Sequence, residues 1–302
     1  MDIVSPIKRS IPESGKRVLR QLQPSTLRLT FDAWKREEDF QDVHALCLFI
    51  GYMRSGHTLV GSLLNAHPEM VIAHELGALA YLKNGYSERQ LRMLILQKDR
   101  AFGERNRKWT GYDYRVAGQY QGRFTTLKVV GDKHGASTIY NLTHNPSMVE
   151  KLGQLDVPVR FIHHVRNPYD IISTGARKSN GSMTLKEVTE YLFRQAAQAK
   201  KHIASLSQKS SVEGIETHHE ALVRKPKKKL RRLLRFLNLS GTSDYLKACD
   251  DLIFESPHKS RYKMEFPDDM VEEIATRCRG FDFLDGYKFS HAEVTSPSSL
   301  GT

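Results

Sequence analysis

Residues 44–52, HALCLFIGY, form an apolar run too short for a buried helix, and they lead without a break into MRSGHT and then LVGSLLNAH. A run of this length ending at a glycine fits a strand covered on both faces, as in parallel sheets. Leu59, Leu63 and Leu64 recur at helical spacing behind it. The chain therefore contains a strand–loop–helix unit whose strand needs neighbours on both sides. MVIA (70–73), TTLKVVGD (125–132) and VPVRFIHHV (157–165) supply candidates, the last two followed by helix-compatible sequence. Ser87 with Gln90, and Thr184 with Glu187, have capping-box spacing before apolar periodic segments, so helices are expected there. Strands alternating with helices predict an α/β fold, a three-layer arrangement with a mainly parallel central sheet flanked by helices. Ligands of such sheets sit in the loops beyond the carboxyl ends of the strands. The chemistry is expected just after residues 51, 131 and 165.

Organisation and charge narrow the reading further. Residues 1–43 are polar, interrupted by Pro6, Pro12 and Pro24, and read as an N-terminal extension. Residues 44–288 hold the strand and helix patterns and read as the folded domain, and 289–302 as a disordered tail. The 302 residues hold 46 Lys+Arg against 34 Asp+Glu, a net charge of +12. No apolar run reaches the ~18 residues of a transmembrane helix, and the opening is too polar for a signal peptide. Cys47, Cys249 and Cys278 form neither a disulfide framework nor a zinc motif, which fits a reducing compartment. A soluble, cytoplasmic protein is expected. Eight of the basic residues lie in RKPKKKLRRLLR (224–235), where Leu230, Leu233, Leu234 and Leu237 keep helical spacing behind Pro226. This reads as an amphipathic helix with a solvated basic face, so much of the charge needs no ligand. Nucleic acid is not an expected partner, and the oligomeric state stays open.

Two segments carry the chemistry. In Gly51-Tyr-Met-Arg54-Ser55-Gly56-His57-Thr58, backbone N–H groups and a helix N-terminus make a cradle for phosphate. The spacing satisfies GxxxxGx[ST], yet His57 holds the lysine position and the positive charge sits at Arg54. That displacement argues against an ordinary ATPase or nucleotide kinase, which needs the lysine on the β/γ-phosphates. In Val165-Arg166-Asn167-Pro168-Tyr169-Asp170-Ile-Ile-Ser173-Thr174, Pro168 suits the first helical turn. Arg166 lies just before it, placed to pair with a phosphate, and the hydroxyls of Ser173 and Thr174 follow at helical distance.

Taken together, RSGHTLVGSLLNAHPEMVIAHE, GDK (131–133), VRNPYDIIST, HHEALVRKPKKKLRRLLRFLNL (218–239) and SRYKMEFPDDMVEEIATRCRGFDFLDGY (260–287) resemble the PAPS-dependent sulfotransferases, in that family's order. The motif style is nearest to the tyrosylprotein, carbohydrate-like and bacterial branches. The resemblance implies a P-loop α/β fold and the donor 3′-phosphoadenosine 5′-phosphosulfate (PAPS), released as PAP. It places Arg54, Ser55, Gly56, His57 and Thr58 on the 5′-phosphosulfate. Arg166 and Thr174, with Ser173, fall on the 3′-phosphate, and Lys133 near the sulfonate. His219 stands where the family often has an adenine-contacting tyrosine, which leaves that contact open. The implied acceptor is a small molecule or glycan with a hydroxyl or amine.

An acceptor hydroxyl must lose a proton as it attacks, so a base is required. Glu75, after the His67-Pro68 pair and MVIA, matches a glutamate base of the tyrosylprotein and carbohydrate-like branches. His134 is the rival, with an ordinary pKa nearer neutrality, although it follows Lys133 directly where the cytosolic small-molecule branch has Lys-x-His. The adjacent pairs His163-His164 and His218-His219 lie on expected strands, so the members of each point to opposite faces and no metal site is expected. Arg261 reads either as a further 3′-phosphate contact or as a surface residue. The aromatic stretch 103–124 is a candidate acceptor-facing loop. The competing readings are a polyanion-binding protein on an inactive P-loop fold and a P-loop kinase or NTPase.

Overall fold

The computed structural model describes residues 13–290. The chain begins with α1 (Glu13–Gln21) and α2 (Pro24–Lys35), then β1 (Ala45–Ile50), α3 (His57–Asn65), β2 (Met70–Ala73), α4 (Ala78–Lys83) and α5 (Glu88–Glu104). A short hairpin, β3 (Lys108–Trp109) with β4 (Tyr112–Asp113), precedes β5 (Val129–Asp132). Next come α6 (Gly135–His144), α7 (Ser147–Gly153), β6 (Val159–Val165), α8 (Pro168–Lys178) and α9 (Leu185–Leu206). The chain closes with β7 (Val212–His218), α10 (His219–Arg224), α11 (Pro226–Phe236), α12 (Ser243–Asp251) and α13 (Asp268–Cys278).

The central sheet has the order β2-β5-β1-β6-β7, and every neighbouring pair is parallel. β1 lies between β5 and β6, pairing Leu48 with Asp132 on one side and Ile50 with His163 on the other. The loops leaving β1, β5 and β6 therefore emerge side by side at one edge of the sheet. Both faces of β1 are covered. Leu46, Leu48 and Ile50 join a core with Leu91 and Ile95 of α5 and Ile139 of α6. Ala45, Cys47 and Phe49 pack with Val60, Leu63 and Leu64 of α3 on the opposite face. Gly131 permits the close β1–β5 approach, because a Cβ there would lie 2.4 Å from the Cys47 carbonyl oxygen.

Both capping boxes form, with side chain and backbone bonded reciprocally at Ser87/Gln90 and Thr184/Glu187. α11 starts at Pro226 and buries Leu230, Leu233, Leu234 and Leu237 against the α3 face, leaving Arg231, Arg232 and Arg235 exposed. Each fully buried leucine contributes roughly 1.5–3 kcal/mol, enough to hold this helix whatever its basic face meets. The segment 125–132 is strand only from Val129. Before that, the amides of Thr125 and Lys128 bond to the carbonyls of Pro68 and Glu69, in the loop before β2. His218 ends β7, but His219 is the first residue of α10, so this pair does not alternate across a strand as expected. Residues 24–43 are joined to the sheet, with Leu29, Ala33, Phe40 and Val43 in its first core. The expected tail falls outside the described residues from 291 onward. Among the described residues no helix is long and apolar enough to cross a membrane.

Candidate functional site

The loop after β1 folds tightly over the sheet edge. Arg54 and Gly56 take left-handed backbone angles, φ 62° and 96°. At Gly56 a side chain is also excluded by space, since a Cβ would sit 2.6 Å from His219 Nδ1. His57 then opens α3, its Nδ1 within 3.0 Å of Ser55 Oγ. Burial and the neighbouring Lys133 keep the His57 imidazole well below its ordinary pKa, so it is neutral near pH 7. The cradle thus offers backbone N–H groups, the Thr58 hydroxyl and the Arg54 cation.

Lys133, just past β5, reaches beneath that loop. Gly61 of α3 makes room for it, because a Cβ there would come 3.1 Å from the lysine Cβ and Cγ. Lys133 Nζ donates to Thr58 Oγ1 at 2.9 Å and to Glu75 Oε1 at 2.8 Å. Its side chain is 3% exposed, that of Glu75 29%. Burial lowers the lysine pKa, and the Glu75 carboxylate pulls it partly back. Glu75 itself adopts φ 57°, a conformation uncommon outside glycine and Asn/Asp. The turn behind it is clamped by Asp132, whose carboxylate accepts the backbone N–H groups of Leu76, Gly77 and Ala78 at 2.8–2.9 Å. The aspartate of the GDK segment therefore fixes the loop that carries the glutamate.

Arg166 leaves β6 and turns toward the first loop. Its Nη1 donates to the Arg54 carbonyl at 3.2 Å and its Nη2 to the His258 carbonyl at 2.9 Å, while Nε is buried without a protein partner. The two hydroxyls on α8 part company. Ser173 is fully buried and donates to the Ser260 carbonyl at 2.6 Å, whereas the buried Thr174 hydroxyl has no partner and lines the cavity. Arg261 is neither on the surface nor on the cavity wall. It is 1% exposed and bonds through Nη1 to Asp170 at 2.6 Å, tying the closing segment to α8.

These groups surround a cavity of about 450 Å³. Arg54, Gly56, His57, Thr58, Glu75, Arg166, Thr174 and His219 line it; Ser55, Ser173 and His134 do not, and Lys133 touches it through its two partners. His134 precedes α6, with its Nδ1 buried and unpartnered. The β3–β4 hairpin forms one rim with Trp109, Tyr112 and Tyr114, and Phe254 stands 6.3 Å from the Tyr112 ring. Residues 103–124 thus reach the cavity through this hairpin. Arg177 and Lys178 also line it, and Lys178 lies over Tyr112 and donates to the Thr110 carbonyl at 3.1 Å. Neither was singled out in the sequence, although both fall one helical turn beyond Thr174, a spacing that puts them on its face.

Several histidines near the site are neutral, which makes the fold acid-sensitive. Burial pushes His74 down to about 2 and His219 down to about 4, and it also lowers His164. Unfolding returns each to about 6.5, so below that pH the unfolded chain binds more protons. Stability is then fully present above about pH 6.5 and is lost as the pH falls, by up to about 1.4 kcal/mol per unit for each histidine. Melting temperature measured from about pH 7.5 down to about pH 5 should drop steadily; a level profile would contradict the neutral assignments.

Comparison with known proteins finds the sulfotransferase family, whose profile matches residues 48–244. No curated protein matches the sequence. Among solved structures, the sulfotransferase domain from the curacin biosynthetic pathway is 16% identical, covering 80% of this chain and 98% of its own, with a TM-score of 0.48. The sulfotransferase domain of the Synechococcus PCC 7002 olefin synthase is 15% identical, covering 80% and 95%, with a TM-score of 0.45. Sulfotransferase STF1 from Mycobacterium tuberculosis H37Rv is 12% identical, covering 84% and 82%, with a TM-score of 0.43.

Proposed function

Because the chain belongs to the sulfotransferase family, we propose that it moves the sulfonate of PAPS to a hydroxyl or amine of a small-molecule or glycan acceptor. The observation that carries this reading is the meeting of the loops after β1 and β6, where Arg166 bonds to the Arg54 backbone at the cavity wall. Arg166 Nε, Thr174 Oγ1 and His219 Nδ1 are buried polar atoms without protein partners, all on residues that line the cavity. Such atoms call for a polar ligand or water, and a donor with two phosphate ends fits a cavity with an arginine on each of two loops. Arg54, Ser55, Gly56, His57 and Thr58 are assigned to the 5′ end, and Arg166 with Thr174 to the 3′ end. Ser173 is left to brace the closing segment through Ser260.

PAPS, when bound, supplies an activated sulfonate on a phosphate leaving group. Lys133 and Arg54 hold positive charge beside the reacting end, where fixed charge is more effective than in water. Glu75 lines the cavity beside Lys133, placed to take the acceptor proton. His134 is off the cavity wall, which favours Glu75 as the base. Trp109, Tyr112 and Tyr114 line the cavity and are assigned to the acceptor side. A reducing, cytoplasmic setting is supported by three buried free thiols.

Thermal melting with PAP, beside ATP–Mg²⁺, tests the reading. PAP at about 100 times its dissociation constant adds about 2.7 kcal/mol, a rise of several degrees for a chain of this size. Arg54→Ala should lose that rise while melting normally without ligand. A folded protein that responds to ATP–Mg²⁺ but not to PAP would move the assignment to a kinase or NTPase. A response to neither would leave the basic face of α11 as the place to seek a polyanion.

A further inference from the structure

Eleven large apolar side chains are exposed among the described residues, and six of them lie between residues 18 and 34. Trp109, Tyr112 and Phe254 line the cavity, so their exposure is accounted for. The N-terminal group is not. Leu27, Phe31 and Trp34 of α2 are 52%, 51% and 59% exposed, and their i, i+4, i+7 spacing puts them on one side of the helix. The opposite side of α2 is occupied by the buried Thr26, Leu29 and Ala33, which fasten it to the core. α2 is therefore apolar on two sides, and among the described residues only one of them is covered. Val18, Leu19 and Leu22, on and just after α1, are 60%, 52% and 62% exposed and add to the uncovered apolar surface.

Charge decides what can cover it. α1 and α2, residues 13–35, carry Lys16, Arg17, Arg20, Arg28 and Lys35 against Glu13 and Asp32, while Arg36 just beyond them is paired with Asp39 at 2.6 Å. A second copy would bring the same excess of positive charge against itself, whereas an anionic surface complements it. Leucine, phenylalanine and tryptophan on one side of a helix with arginine and lysine beside them suit the interface of an anionic bilayer. The Lys35 ammonium already lies over the Phe31 ring, 4.4 Å from its centre, so positive charge sits directly against the apolar side.

We infer that α1 and α2 form a peripheral docking surface for anionic lipid bilayers, through the stripe Leu27, Phe31 and Trp34 and the basic residues beside it. The chain would thus work at a membrane surface.

Co-sedimentation of the full chain with phosphatidylcholine vesicles, with or without phosphatidylglycerol, tests this, alongside sedimentation velocity without lipid. Binding is expected only with phosphatidylglycerol, and should weaken as salt rises. Phe31→Glu with Trp34→Glu should lower the partition coefficient at least about tenfold, and Arg28→Glu with Lys35→Glu by a similar factor. Tyr140→Glu, at a site 61% exposed on α6, should change nothing. Both N-terminal pairs replace solvent-facing residues, so unchanged melting checks that they fold. No binding to phosphatidylglycerol vesicles, or binding indifferent to the Phe31/Trp34 pair, would overturn the proposal. A dimer in the absence of lipid that Trp34→Glu dissociates would overturn it in favour of a second copy.

Discussion

Replacing Lys133 by methionine is expected to lower turnover by about 10²–10³-fold, the usual effect of removing one preorganised donor from a reacting centre. Methionine keeps much of the buried stem in the channel that Gly61 opens, so the loss isolates the ammonium. Glu75 then loses its ion pair, but its side chain is 29% exposed and stays hydrated, which limits the cost to folding. Binding of PAP should change far less than kcat, because the two phosphate ends are assigned to Arg54 and Arg166. Single-turnover transfer of labelled sulfonate, beside calorimetric titration with PAP, separates the two effects. Turnover within a few-fold of the parent would remove Lys133 from the reaction.

Glu75→Gln should have the second large effect, a fall in kcat of about 10²–10⁴-fold, the range for loss of a general base. Glutamine retains an oxygen that can accept from Lys133 Nζ, so the 2.8 Å contact and the lysine position are preserved. PAP affinity and melting temperature should stay close to those of the parent. His134→Ala serves as the comparison and should leave kcat within a few-fold. The opposite pattern, an active Glu75→Gln and an inactive His134→Ala, would transfer the role of base to the histidine.

The fold was legible wherever a pattern repeats over a few residues. The two-sided apolar run of β1, both capping boxes and the leucine spacing of α11 depend on local backbone geometry and on one burial periodicity. The segment 125–132 was harder to read. Its first half is bonded to the carbonyls of Pro68 and Glu69 rather than to a strand, and no local pattern distinguishes the two partners. His219 was misplaced for a similar reason, since β7 passes into α10 without a proline or glycine to mark the change.

The candidate site divides along the same line. Motif order alone showed that Arg54, Lys133 and Arg166 follow three strands and that glycines flank the first loop. The strand order then puts those loops at adjacent positions of one sheet edge, which no pair spacing along the chain reveals. Only the packed structure shows that Ser173 is committed to Ser260 while the neighbouring Thr174 faces the cavity, a distinction set by the rotation of α8 against the closing segment. It likewise sends Arg261 into an ion pair with Asp170 and leaves the Leu27, Phe31 and Trp34 stripe uncovered. By itself, the sequence determined the elements, their order and the residue types at the loops, because these follow from nearest-neighbour conformation and periodicity. Which side chains meet, which are buried and which face solvent depend on contacts between segments far apart in the chain, and those were decided by the tertiary structure.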